Sequence, residues 1–170
     1  MDFELFNSFL QRFVSILELG GFSLNYYCQS SIPDENKVCN TNRKTVMICD
    51  DEVDLLHLFK YALEPAYDVF IVDSGKDCIK KFLEEKHRGK KVDVLLLDYR
   101  LGDKLGDIVA CKVHELDGVK TILITAYELE QVMVDHLIKK RCITGIMKKP
   151  IRMPTIINEM EKVISSNNFP

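Results

Sequence analysis

The sequence predicts an α/β fold: a doubly wound, five-stranded parallel sheet with an N-terminal helical extension. Three observations predict it. Between Thr45 and Ser165, short apolar or β-branched runs alternate five times with stretches of helical periodicity. No hairpin signal joins one run to the next, so the intervening helices read as crossovers between parallel strands. One run, Val94-Leu95-Leu96-Leu97, is apolar at four successive positions before it ends in a single acid, Asp98, which suits a strand buried on both faces.

Three segments follow from composition: an extension over residues 1–28, a polar linker over 29–44 and the α/β domain over 45–166. In the extension, Phe3, Phe6, Phe9, Phe13 and Ile16 or Leu17 recur at three- and four-residue steps, so residues 2–19 predict an amphipathic helix. Gly20-Gly21 stops it. The readings open for such a helix are packing on the main domain, a partly ordered tail, and self-association into a homodimer or binding to a partner; Arg12 as its only basic residue argues against a membrane surface. The linker is polar, with Asp34, Glu35, Asn36, Asn40, Thr41, Asn42 and Arg43, and contains Pro33.

The domain opens with a strand at Thr45–Cys49, ended by Asp50-Asp51-Glu52. A helix with Val53, Leu56, Phe59 and Leu63 at helical spacing closes at Pro65. Tyr67–Val72 is the second strand, ended by Asp73-Ser74-Gly75, and Lys76–Lys86 the second helix. Val92–Leu97 is the third strand, and Asp107 to Glu115 the third helix. Val119–Ile124 is the fourth strand, ended by Thr125-Ala126-Tyr127, and Glu128–Arg141 the fourth helix. Ile143–Met147 is the fifth strand, ended by Lys148-Lys149-Pro150, and Pro154–Ser165 the last helix.

The 170 residues, 46% of them hydrophobic, suffice for one domain with an appendage. A net charge of −3 with dispersed Lys and Arg argues against a dedicated nucleic-acid binder. The N-terminus carries Asp2 and Glu4 ahead of any Lys or Arg, unlike a secretory leader, and no uncharged apolar run approaches the roughly 18 residues of a membrane span. The six cysteines form no C-x-x-C pair and no zinc-ligand spacing. They read as reduced, mostly buried thiols, which implies a reducing cytoplasm.

In a parallel sheet the strand ends share one rim, where open α/β folds place their ligands. That rim receives Asp50 and Asp51, Asp98, Thr125 and Lys149. In the flavodoxin-like order 2-1-3-4-5 the crevice lies between strands one and three, so their acids face each other. Clustered carboxylates repel; a hard divalent cation such as Mg²⁺ compensates them. A carboxylate nucleophile, a metal, a lysine and a hydroxyl are the parts needed to form an aspartyl phosphate. The plain alternatives are an ordinary loop acid at Asp98, helix caps at Asp50-Asp51-Glu52 and Thr125, and a solvated Lys149, although Lys148 suits solvent better.

Four segments together carry a specific resemblance: Ile48-Cys49-Asp50-Asp51-Glu52, Leu95-Leu96-Leu97-Asp98-Tyr99-Arg100-Leu101 with Gly106, Ile122-Leu123-Ile124-Thr125-Ala126, and Met147-Lys148-Lys149-Pro150. In this order, each at a strand's end, they resemble the receiver domain of two-component response regulators across about residues 45–165. The resemblance implies that Asp98 is the phosphoacceptor. Mg²⁺ would be held by Asp51, by Asp50 mainly through water, by Asp98 and by the backbone carbonyl of Arg100. Thr125 would hydrogen-bond the phosphoryl group and Lys149 would pair with it, oriented by a cis bond before Pro150.

The chain departs from the family pattern in two places, and the residues at two further positions bear on the lifetime of the phosphoryl group. Ile146 stands where many receivers have an aromatic ring. Gly102 replaces a common proline, which predicts a more mobile loop. Arg100 and Tyr127, both bulky, flank the position of the attacking water and are expected to prolong the life of the aspartyl phosphate. None of the histidines at 57, 87, 114 and 136 lies in a phosphotransfer motif, and Arg100 stands where the haloacid-dehalogenase pattern needs a second acid.

The resemblance implies a switch rather than a turnover enzyme: a cytoplasmic single-domain response regulator. Its partners would be a sensor histidine kinase and a downstream protein target, with no nucleic acid bound. Output would run through helix four, strand five and helix five, where His136, Lys139, Lys140, Arg141 and Ile143 are expected at the surface. The alternatives are an unphosphorylated scaffold of the same fold and a relay intermediate serving a histidine phosphotransfer protein.

Overall fold

A computed structural model describes residues 43–166. The expected helix at 2–19, the rest of the extension and all of the linker before residue 43 lie outside the described residues.

Strands β1 (Thr45–Cys49), β2 (Asp68–Val72), β3 (Val94–Asp98), β4 (Lys120–Thr125) and β5 (Gly145–Lys148) alternate with helices α1 (Val53–Leu63), α2 (Gly75–His87), α3 (Gly106–Asp117), α4 (Gln131–Lys139) and α5 (Met153–Ser165). All strand pairs are parallel and the order is β2-β1-β3-β4-β5, the doubly wound arrangement expected. The period-2 alternation of strand side chains divides the core in two. On one face Met47, Leu95, Leu97 and Leu123 meet Phe82 of α2, Val109 and Val113 of α3, and Leu137 of α4. On the other, Val46, Ile48, Leu96, Ile122 and Met147 meet Leu56 and Phe59 of α1 and Ile156 and Met160 of α5. Val94 to Leu97 are all fully buried. Each such side chain contributes roughly 1.5–3 kcal/mol of transfer free energy, so the central strands are rigid rails for the residues at their ends.

Three expectations need correction. The fourth helix begins at Gln131 and ends at Lys139 rather than spanning Glu128–Arg141. Arg141 adopts a left-handed φ of 59°; its N–H donates to the Ile138 carbonyl and the Cys142 N–H to the Leu137 carbonyl, a Schellman closure built without glycine. Ile143, expected at the surface, is fully buried, because the chain after this closure turns inward to feed β5; His136, Lys139, Lys140 and Arg141 are exposed. Finally, Cys111 and Cys142 form a disulfide across Cα atoms 4.4 Å apart, whereas Cys49 and Cys78 are free and buried. The 31-residue separation of the bonded pair hides a contact that the packing of α3 beside the end of α4 creates. The disulfide removes the cysteine argument for a reducing compartment.

Candidate functional site

Registry explains which side chains meet. Cys49 pairs with Leu97 across β1 and β3, so Asp50 and Asp98 each stand one residue beyond a paired position on adjacent strands. Asp50 lies two residues past Ile48, Asp98 two past Leu96, and Lys149 two past Met147, all three of which belong to the same core face. The two-residue strand period therefore brings these ends together. The backbone holds the rim in register: Tyr99 N–H donates to the Ile124 carbonyl and Lys149 N–H to the Thr125 carbonyl, both at 2.8 Å. The Lys149–Pro150 bond is cis, as expected.

The Lys149 ammonium sits 2.7 Å from Asp98 Oδ1 and 2.8 Å from Asp50 Oδ2, with the exposed Glu52 carboxylate at 3.7 Å. The side chains of Asp50 and Asp98 are only 3% and 8% exposed, so one ammonium serves two buried carboxylates. Their remaining oxygens are also used: Asp50 Oδ1 accepts the Glu52 N–H at 2.9 Å, and Asp98 Oδ2 accepts the Arg100 N–H. Burial pushes the Asp98 carboxyl above the usual carboxylate range, helped by the charge of Asp50; Lys149 and the Arg100 N–H oppose this without cancelling it. For Lys149, burial acts downward, but hydrogen bonds to Asp50 and Asp98 prevail and its pKa is pushed up to about 12.

The other expected residues are placed less tightly. Thr125 is buried at the end of β4, and its hydroxyl oxygen accepts the Tyr127 N–H at 3.0 Å, leaving the hydroxyl proton available as a donor. It does not cap α4, whose N-cap is Glu130. Asp51 is exposed; its Oδ2 stands 4.0 Å from the place a Cβ on Gly102 would occupy. Lys148 is exposed and paired with Glu128. Above the rim, the Arg100 guanidinium lies 4.7 Å from the Tyr127 ring centroid and donates to its hydroxyl at 3.1 Å. His57 and His136 are exposed. Ile146 is half-buried against the core face of α2–α4.

The loop after Asp98 is tightly closed. Gly106 N–H donates to the Tyr99 carbonyl at 2.7 Å and Leu101 N–H to the Lys104 carbonyl at 3.2 Å, while Arg100 and Leu105 form an antiparallel bridge. Gly106 is required by close approach: a Cβ there would collide with the Asp98 carbonyl oxygen and reach 3.0 Å from Tyr99 Cα. Asp103, at the loop's tip, accepts from the Gly75 and Lys76 N–H groups at 2.7 and 2.9 Å. No motif signalled this residue, because an Asp in a glycine-containing loop reads as ordinary turn chemistry and its partners lie 28 and 27 positions away.

The donor set suits a hard cation. Carboxylate and carbonyl oxygens from Asp50, Asp51, Asp98 and Arg100 are the ligand type Mg²⁺ takes, and two buried carboxylates against one ammonium leave negative charge in excess. Among the described residues no three His, Cys, Asp or Glu side chains are already gathered as a metal cluster; Lys149 holds Asp50 and Asp98 together instead.

Comparison with known proteins agrees with this fold. No curated protein matches the chain. Among solved structures, a CheY-like response regulator receiver domain protein from Methanospirillum hungatei has a TM-score of 0.63 at 23% identity, covering 72% of this chain and 94% of that one. The signal receiver domain of a putative Luxo repressor protein from Vibrio parahaemolyticus gives 0.62 at 25% identity, covering 72% and 91%. A two-component response regulator from Clostridium difficile gives 0.63 at 16% identity, covering 74% and 99%. Among the described residues no helix is long and apolar enough to cross a membrane. Residues 46–161 match the response regulator receiver domain as a family, and the chain belongs to that family.

Proposed function

We propose that the protein is a phospho-accepting switch in which Asp98 takes a phosphoryl group from the phosphohistidine of a sensor histidine kinase. The observation that carries this reading is the Lys149 ammonium shared by the buried Asp50 and Asp98 at 2.8 and 2.7 Å. An Asp98 oxygen attacks phosphorus, the N–P bond to the donor imidazole breaks, and an acyl phosphate forms. Asp51, Asp50, Asp98 and the Arg100 carbonyl would hold Mg²⁺, which neutralises charge on the transferring oxygens when bound. Lys149, freed from the Asp98 carboxylate, remains beside the new phosphoryl oxygens, and Thr125 donates its hydroxyl proton to them. Hydrolysis of the acyl phosphate returns Asp98 to its starting state, so the protein acts as a switch rather than a turnover enzyme.

The cytoplasm, where histidine kinases draw on nucleoside triphosphate, is the expected location. Output would pass through protein contacts at α4, β5 and α5, where His136, Lys139, Lys140 and Arg141 are exposed. With Ile146 in place of a swinging ring, the change would reach this surface through the Thr125 end of β4. The test is Mg²⁺-dependent uptake of phosphate from acetyl phosphate by the full chain and by D98A. Uptake by the parent and none by D98A is expected; no uptake by folded parent protein would sink the reading. Onward transfer to a phosphotransfer histidine would mark the protein as a relay intermediate.

A further inference from the structure

We infer that Asp103 is a positioning residue, which fixes the Arg100 backbone over the rim by anchoring the loop's tip to the start of α2. The inference rests on the reading of Asp98 and the Arg100 carbonyl proposed above.

Arg100 meets the site through its backbone. Its N–H holds Asp98 Oδ2, and its carbonyl is the proposed metal ligand. The position of both depends on the loop from Tyr99 to Leu105. The internal bonds of that loop tie its ends to each other, but they do not tie its tip to a neighbouring element. Asp103 supplies that tie, to the start of α2. Its two carboxylate oxygens take the Gly75 and Lys76 N–H groups at 2.7 and 2.9 Å, which belong to the first turn of α2 and have no partner within the helix. Bonds between an ionised acceptor and backbone N–H groups are among the strong ones.

Two further observations show that the approach is built in. Ser74 already caps the same helix by accepting the Asp77 N–H at 3.2 Å, so α2 does not depend on Asp103 for its start. A Cβ on Gly75 would come 2.8 Å from Val109 Cγ2, 3.0 Å from Lys104 Cβ and 3.2 Å from Asp103 Oδ1; only glycine admits the loop at this distance. The backbone bonds outweigh burial and hold the Asp103 carboxyl below the usual range, so it stays ionised at neutral pH. The anchor thus restrains a loop in which Gly102 replaces a stiffening proline.

The test compares the full chain with D103A, D103N and S74A. Mg²⁺ is titrated by backbone amide NMR shifts, hydrogen exchange is measured at the Arg100 amide, and phosphate uptake from acetyl phosphate is followed at saturating Mg²⁺. D103A should raise the Mg²⁺ needed for half-saturation on the order of tenfold and speed exchange at Arg100, with uptake at saturating Mg²⁺ within about twofold of the parent. D103N, which keeps one acceptor oxygen, should fall between. S74A should lower thermal stability and leave both Mg²⁺ titration and Arg100 exchange unchanged. Parent-like titration and exchange in D103A would overturn the inference, as would equal effects of D103A and S74A. Failure of the parent to take up phosphate would instead overturn the proposed function, while exchange at Arg100 would still report on Asp103.

Discussion

Replacing Lys149 by Met removes the one cation between two buried carboxylates and keeps most of the side chain's length. Breaking a buried ion pair costs roughly 3–5 kcal/mol. Because Lys149 is 20% exposed, water will partly replace its ammonium, and the lower end, about 3 kcal/mol, applies. For a folded unit the size of residues 43–166, an unfolding entropy of about 0.26 kcal/mol/K converts this to a fall in Tm of about 10–15 °C. The loss should depend on pH. Asp98 has its folded pKa raised, so its protonation favours the fold: that stability is fully present below the unfolded pKa near 4 and is lost as pH rises through the folded value. Removing Lys149 lifts the folded pKa further, so the deficit should be largest at neutral pH and shrink as pH falls towards about 4. Lys149 itself, raised to about 12, contributes fully below its unfolded pKa, and that contribution is lost as pH climbs through about 12. Thermal melts of the parent, K149M, D98N and the double variant, followed by circular dichroism at pH 5 and pH 8, test this. D98N should recover part of the K149M loss at pH 8 and little at pH 5. A deficit equal at both pH values, or no coupling between the two positions, would refute the shared-ammonium account.

Two other outcomes are expected. R100A and Y127A, each of which abolishes the guanidinium–ring contact over the rim, should release phosphate from the phosphorylated protein about two- to fivefold faster, measured as decay of the radiolabelled acyl phosphate; unchanged lifetimes would count against shielding. Reduction of Cys111–Cys142, which closes a loop over a separation of 31, should cost about 3–4 kcal/mol by chain entropy. A melt with reductant should then fall by about 12–15 °C for the parent and not at all for C111S/C142S; a parent insensitive to reductant would show that the thiols are free in solution.

Strand and helix identities were legible because each burial face writes its period into the chain. The run Val94 to Leu97 suited a strand covered on both sides, and the apolar spacing of Val53, Leu56, Phe59 and Leu63 suited a helix. Boundaries were less legible where backbone geometry overrides composition. Glu128 to Glu130 include good helix formers, yet they lie in the irregular segment between Thr125 and α4, with Glu130 as the N-cap. Arg141 is unremarkable in sequence and holds a left-handed closure, which is what sends Ile143 inward.

The sequence by itself determined the sheet, its order and the four strand ends that meet at the rim, since parallel strands joined by crossovers must present their carboxyl ends together and the family's four motifs occupy those ends. Only the tertiary structure decided the pairings made across the rim. Lys149 lies between Asp50 and Asp98 because β1, β3 and β5 bring the same strand face to one point. Asp103 reaches α2, and Cys111 reaches Cys142, because distant segments pack together. Periodicity records which face of an element is buried; it does not record which residue of another element stands opposite.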